Sequence, residues 1–162
     1  MKHLRYLRYV LRHKWYVFRA GLLTKAPLWR LIIHDWSKFS KAEWNPYVNF
    51  FYGKGVDYEF RTPEVKSAFS RAFHHHIHRN AHHWEYWLRY RASDGSFAPL
   101  EMPEKLVREM VADWAGAGRA ITGEWELASW YEANAHKIKL HGATRKRVYA
   151  LVEQTSKALD IR

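Results

Sequence analysis

The chain has no cysteine. That excludes disulfides, thiolate zinc sites and cysteine nucleophiles together, so any metal site must be built from His, Asp or Glu. No stretch approaches the roughly 18 consecutive apolar residues of a membrane span, and no membrane partner is expected. Acid is missing from the first 34 residues. Their basic content resembles a targeting segment, but no continuous apolar h-region and no Ala-x-Ala-like cleavage site accompany it. The expectation is therefore a cytoplasmic protein of a bacterium or phage. Sustained alternation with a period of two, internal repeats and low-complexity linkers are also absent, which argues against an extensive sheet or a solenoid.

What is present is a 162-residue chain with 48% apolar and 17% aromatic residues, enough for one packed core. Its 27 Lys and Arg exceed its 16 Asp and Glu by eleven. A charge of that sign steers anions toward the protein, so a small anionic substrate such as a nucleotide is expected, and nucleic acid is the alternative partner. Helical spacing runs through most of the chain. Residues 3 to 20 form an amphipathic basic helix, and Pro27 opens a shorter one on which Leu28, Leu31, Ile32 and Trp36 share a face. Ser40 caps a third, Gly53 and Gly55 mark a loop, and Pro63 leads into a long pattern from Ala68 to Tyr90. Pro103 starts a helix to about Trp114, stopped by Gly116 and Gly118. Two more follow, about 124 to 136 and 144 to 159, the last capped by Thr144. The expected fold is all-α, a single compact domain over residues 1–162 with about seven helices.

Polar groups fall where this pattern calls for apolar ones. His13 lies seven residues after Tyr6, Asp35 seven after Leu28, and Asp113 seven after Leu106, nearly two helical turns in each case. Each side chain thus points where its apolar predecessor points. A carboxylate facing a core costs several kcal/mol or more unless it is paired or bound to a cation. Taken singly, each is a hydrogen-bonded His or an Arg-paired Asp. Together with His34, which is adjacent to Asp35, they make a divalent-metal pocket. Residues 74–83 add six histidines. On a continuous helix His76 and His83 share the inward side with Phe69 and Phe73, while His74, His75, His78 and His82 face away. A break near Arg79 and Asn80 would rotate the second half and bring in His75, His78 or His82.

The ordered set His13, His34-Asp35, the histidines from 75 to 83 and Asp113 resembles the HD-domain superfamily of helical metalloenzymes. His34-Asp-Trp-Ser-Lys38 is similar to the His-Asp-x-Gly-Lys form of HD-GYP phosphodiesterases and of the diiron oxygenase branch typified by myo-inositol oxygenase. The chain also resembles a family of small phage and bacterial proteins through His-Asp-x-Ser-Lys-Phe, Arg-Asn-x-His-His-Trp and Glu-Met-Val-Ala-Asp-Trp, over residues 3 to about 150. Gly-Tyr-Pro is missing, the interval from His13 to His34 is short, and the extra histidines are crowded into one segment.

That resemblance implies an HD-like fold and a metal-dependent phosphohydrolase holding one or two divalent ions (Mn, Fe, Co, Zn or Mg). His13, His34, Asp35 and Asp113 would hold one ion, His76 with His83 a second, and Asp35 would bridge. Lys38, a helical turn beyond His34, is expected at the pocket rim, where it can bind a phosphate oxygen. Glu43 is expected to be a proton acceptor or an outer carboxylate that orients an imidazole, with a solvent-facing helix residue as the alternative. Arg79 and Arg119 are candidate phosphate clamps, with a plain surface role as the alternative. The same ligands suit a mixed-valence diiron oxygenase. A nucleic-acid-binding protein without catalysis is the third reading, with aromatics interleaved with Arg, as in Arg5-Tyr-Leu-Arg-Tyr9, stacking bases.

Overall fold

A computed structural model describes residues 1–53 and 61–160. Gly55, half of the expected loop signal, lies outside the described residues. Seven α-helices occur among those described: α1 (Lys2–Thr24), α2 (Leu28–Ile33), α3 (Lys41–Tyr52), α4 (Pro63–Arg79), α5 (Glu104–Thr122), α6 (Leu127–Asn134) and α7 (Gly142–Asp160). Two short 3₁₀ turns, Trp36–Phe39 and Trp84–Trp87, join them, and β1 (Leu88–Tyr90) pairs antiparallel with β2 (Phe97–Pro99), Leu88 opposite Pro99. The all-α architecture expected from the periodicity is the one observed. No helix among the described residues is long and apolar enough to cross a membrane.

Helix α1 is the spine. One face packs on α5 and α7 in a cluster that includes Val17, Ala20, Val107, Met110, Val111 and Val148 and that α6 joins through Leu127 and Tyr131. Toward its N-terminus the same face packs on α3 and α4 through Tyr6, Val10, Tyr47, Val48 and Ala72. His13 sits one turn from Val10 and one turn from Val17, at the junction of the two clusters. A polar group there is buried from both sides.

Several boundaries differ from the sequence expectation. Helix α5 does not stop at Gly116 and Gly118 but runs to Thr122 and ends at Gly123, whose φ of 88° only glycine adopts at ease. Gly116 serves packing instead: a Cβ placed on it would lie 2.5 Å from the backbone nitrogen of Val17, so α1 and α5 touch backbone to backbone. The pattern read as helix from Ala68 to Tyr90 breaks at Asn80, where the chain turns before the hairpin. Thr144 lies inside α7 and does not cap it; its hydroxyl accepts from the Met102 N–H at 3.0 Å, tying α7 to the entry of α5. Ser40 stands at the N-cap of α3, but its side chain makes no capping bond. Helix α2 buries Leu31 alone, over Gly21, whereas Leu28, Ile32 and Trp36 are exposed.

Candidate metal centre

The turn after α2 decides the geometry. Adjacent residues of a helix point about 100° apart, so His34 and Asp35 cannot both face one point from a continuous helix. The helix ends at Ile33, His34 takes an extended ψ of 128°, and Asp35 sits in the left-handed region at φ 54°. Both side chains are then fully buried. Asp35 faces inward because of this strained turn and not, as its spacing from Leu28 suggested, because it continues an inward helical stripe. A non-glycine residue in that region costs on the order of 1 kcal/mol or more, and such strain is concentrated at sites where side-chain aim matters.

Four ligand atoms converge from three segments. His13 Nε2 on α1 lies 3.1 Å from Asp35 Oδ2 and 3.3 Å from Asp113 Oδ1 on α5. His34 Nε2 lies 3.4 Å from the same Asp35 oxygen and 3.3 Å from the same Asp113 oxygen. Ligands bonded at about 2.0–2.2 Å to one ion stand roughly 3.0–3.5 Å from one another at neighbouring vertices. These four distances fit that polyhedron.

The second oxygens of the two aspartates point to another set of imidazoles. Asp35 Oδ1 is 3.4 Å from His76 Nε2 and 3.5 Å from His82 Nε2, and Asp113 Oδ2 is 3.8 Å from His82 Nε2. His83 joins Asp35 and His76 in a further three-ligand group, with its Nε2 buried and unpartnered. The carboxylate of Asp35 thus faces two adjacent clusters, one through each oxygen.

Tautomers are fixed from outside. Glu109 is buried and can only accept, so Nδ1–H of His34 donates to its Oε1 at 3.1 Å and Nδ1 of His82 approaches the same oxygen at 3.2 Å. Its other oxygen takes Nε–H of Arg30. Glu43, fully buried at the start of α3, receives Nδ1–H of His76 at 2.7 Å and of His75 at 2.9 Å. For His34, His76 and His82 the Nε2 is left facing the aspartates, and Nε2 of His34, Nε2 of His82 and Oδ1 of Asp35 have no hydrogen-bond partner. Acceptors facing acceptors in a dry interior need a cation between them.

The protonation preferences of the metal-free centre follow from the same crowding. Burial works against a charged His34, but Asp35, Asp113 and Glu109 outweigh it and push its pKa up to about 9. A proton then takes the place of the cation. Burial and the neighbouring Lys38 lower His13 to about 4. For Asp35, burial is overcome by His34, Lys38 and His76, and its carboxyl falls well below the usual range. Glu109 falls to about 2, burial being outweighed by its bonds to His34 and His82.

Most of the residues named from sequence come together here: His13, His34, Asp35, His76, His83, Asp113, Lys38 and Glu43. Lys38 is not at a rim. It is buried, with Nζ 2.5 Å from Asp35 Oδ2, because the 3₁₀ turn folds it back over the carboxylate. Arg79 is exposed at the end of α4. Arg119 pairs with Glu124 at 3.2 Å and lies over the Tyr16 and Trp125 rings, nearly two turns beyond Asp113. Neither clamp is aimed into the cluster. His82, which faces away on a continuous helix, is buried in the centre, as expected for a break at Asn80. Asn80 holds that break by donating through Nδ2 to Ser37 Oγ (2.7 Å) and His76 O (2.8 Å). Glu109 was missed. Its signal was its place one turn before Asp113 on the inward stripe of α5.

Residues 2–154 match a family of unknown function, DUF5662, and the chain belongs to that family. No curated protein and no solved structure matches the chain.

Proposed function

We propose that this protein is an HD-type metal-dependent phosphohydrolase acting on a small anionic phosphate ester, a nucleotide by preference. The observation that carries the proposal is the convergence of His13, His34, Asp35 and Asp113, in that chain order, with ligand-to-ligand distances of 3.1–3.4 Å and no guanidinium on either aspartate. His13, His34, Asp35 and Asp113 would hold one divalent ion; His76, His82 and His83, with Asp35 shared, would hold a second. Such ions supply a water acidic enough to ionise near neutral pH and positive charge to offset that growing on a phosphoryl oxygen.

The chain's own residues do the rest. Glu109 and Glu43 hold three imidazoles, those of His34, His82 and His76, in the tautomer that directs Nε2 inward. Lys38, kept charged by Asp35, fixes positive charge against that carboxylate beside the two clusters, which favours an anionic ester there. In the reaction the water oxygen bonds to phosphorus, the ester P–O bond breaks, and the departing alcohol takes a proton. Net charge of +11 raises the encounter rate with phosphates.

A donor set rich in imidazole and free of thiolate also suits iron, which favours a diiron oxygenase as the second reading. Base stacking by Arg5-Tyr-Leu-Arg-Tyr9 has less support, since Tyr6 is fully buried and Trp84 and Trp87 pack on the core. Metal analysis of untagged protein, followed by phosphate release from a nucleotide panel with Mn, Co, Mg, Zn or Fe, separates the readings. Two ions per chain and metal-dependent phosphate release support the hydrolase. Stoichiometric iron with oxygen consumption and no phosphate release would replace it with the oxygenase, and no bound metal would end both.

A further inference from the structure

Eleven of the twenty large apolar side chains that are exposed among the described residues lie in residues 1–39. Five of them stand together on α2 and the turn after it: Leu28, Trp29, Ile32, Ile33 and Trp36 are 53–68% exposed. Leu31, against Gly21, is the one buried apolar anchor of this element, and Arg30 adds an ion pair to Glu109. Lys14 of α1 ties its end down by donating to the carbonyls of Ile32 and His34. On α1 a second row, Leu4, Leu11, Trp15 and Leu22, is also exposed, and its spacings of seven, four and seven residues place it on one face. Arg5, Arg8 and Arg12 lie along one edge of that row. Patches of this size on a soluble domain mark contact surfaces.

The exposed charges of the first 50 residues have one sign. The first 50 residues contain ten Lys and Arg and two acids, Asp35 and Glu43, both buried in the metal centre. Six of the cations are exposed: Lys2, Arg5, Arg8, Arg12, Lys25 and Lys41. Residues 1–50 therefore offer aliphatic groups, tryptophans and positive charge to the outside, with no exposed carboxylate of their own among the described residues. A second copy docking through a two-fold axis would set cations against cations. Nucleic acid would use the cations but leave the Leu and Ile side chains with nothing apolar to bury against, since most contacts are to phosphate and sugar. A bilayer with anionic headgroups satisfies both: the apolar side chains enter the headgroup and acyl boundary, tryptophans sit at that depth, and Lys and Arg meet the lipid phosphates.

We propose that α2 and the outer face of α1 dock the protein peripherally on an anionic lipid bilayer. The sequence expectation of no membrane partner rested on span length alone. Surface docking needs no span, and the exposure of α2 could not be read from a pattern that also fits a buried face. This proposal does not depend on the proposed hydrolase activity, because its test reads binding only.

Co-sedimentation with vesicles tests it. The protein is expected to pellet with phosphatidylcholine vesicles containing about a third phosphatidylglycerol, to stay in solution with pure phosphatidylcholine, and to be released by salt of roughly half-molar concentration. Trp29→Ser with Ile32→Ser should weaken binding at least roughly tenfold, and Phe97→Ser on the hairpin should not. Should the α2 variant misfold by circular dichroism, Arg8→Glu with Arg12→Glu keeps the apolar patch and should also lose anionic vesicles. No pelleting with anionic vesicles, or pelleting of the α2 and charge-reversal variants equal to that of the wild type, overturns the proposal. So does a dimer that dissociates in the α2 variant, or DNA binding weakened by it without vesicle binding.

Discussion

Gly116 and Val17 meet backbone to backbone, with a Cβ on Gly116 falling 2.5 Å from the Val17 nitrogen. One turn earlier on each helix stand Asp113 and His13, 3.3 Å apart. The contact between α5 and α1 therefore sets the width of the candidate metal centre.

Gly116→Ala should push the two helices apart. We expect a loss of about 1–3 kcal/mol, the usual range for overpacking, and weaker metal retention because His13 and Asp113 separate together. Thermal unfolding with metal analysis measures both. An unchanged melting temperature and full occupancy would show that the helix contact does not set the site.

Asp35 addresses two clusters through its two oxygens. Asp35→Asn suits the left-handed turn nearly as well as Asp, so the fold should persist while both ions are lost. His76→Ala should lose one ion and keep the other, and His74→Ala, exposed on the outside of α4, should keep both. Equal occupancy across the three variants counts against a shared carboxylate.

Glu109 aims His34 and His82 without standing between the aspartates. Glu109→Gln puts an amide N–H or an inferior acceptor opposite Nδ1, and metal affinity should fall by about 10–100-fold, as for other carboxylates behind ligating histidines. Chelator competition measures it. Arg30→Ala should produce a smaller effect in the same direction, since it supports Glu109 through one ion pair.

The metal-free protein should have a stability optimum in pH. His34, raised from 6.5 to about 9, contributes stability fully present below pH 6.5 and lost as pH rises through 9. His13, lowered to about 4, contributes stability present above pH 6.5 and lost as pH falls through 4. These two groups place the optimum near pH 6.5. Because a metal ion bound at the proposed site would displace the His34 proton, stabilisation by added Mn should grow between pH 6.5 and 9. Denaturant midpoints across that range, with and without Mn, test it; metal stabilisation that shrinks with rising pH would contradict the assignment of His34.

Local chemistry in the sequence was enough to specify helices, to count them, and to mark His13 and Asp113 as polar groups on apolar stripes, because helical period is a property of the chain itself. His34 and Asp35 were legible as a pair, but their shared aim was not, since it comes from a left-handed turn that spacing does not encode. The break at Asn80, which delivers His82, depends on Ser37 reaching it from 43 positions away. The role of Gly116 likewise required α1 beside α5; in sequence the residue reads as a helix stop. Exposure on α2 was hidden for the same reason, because an apolar residue in a periodic run looks identical whether a neighbour covers it or not. Period and residue type are carried by neighbours along the chain, whereas burial, tautomer and ligand distance are set by partners brought together from remote segments.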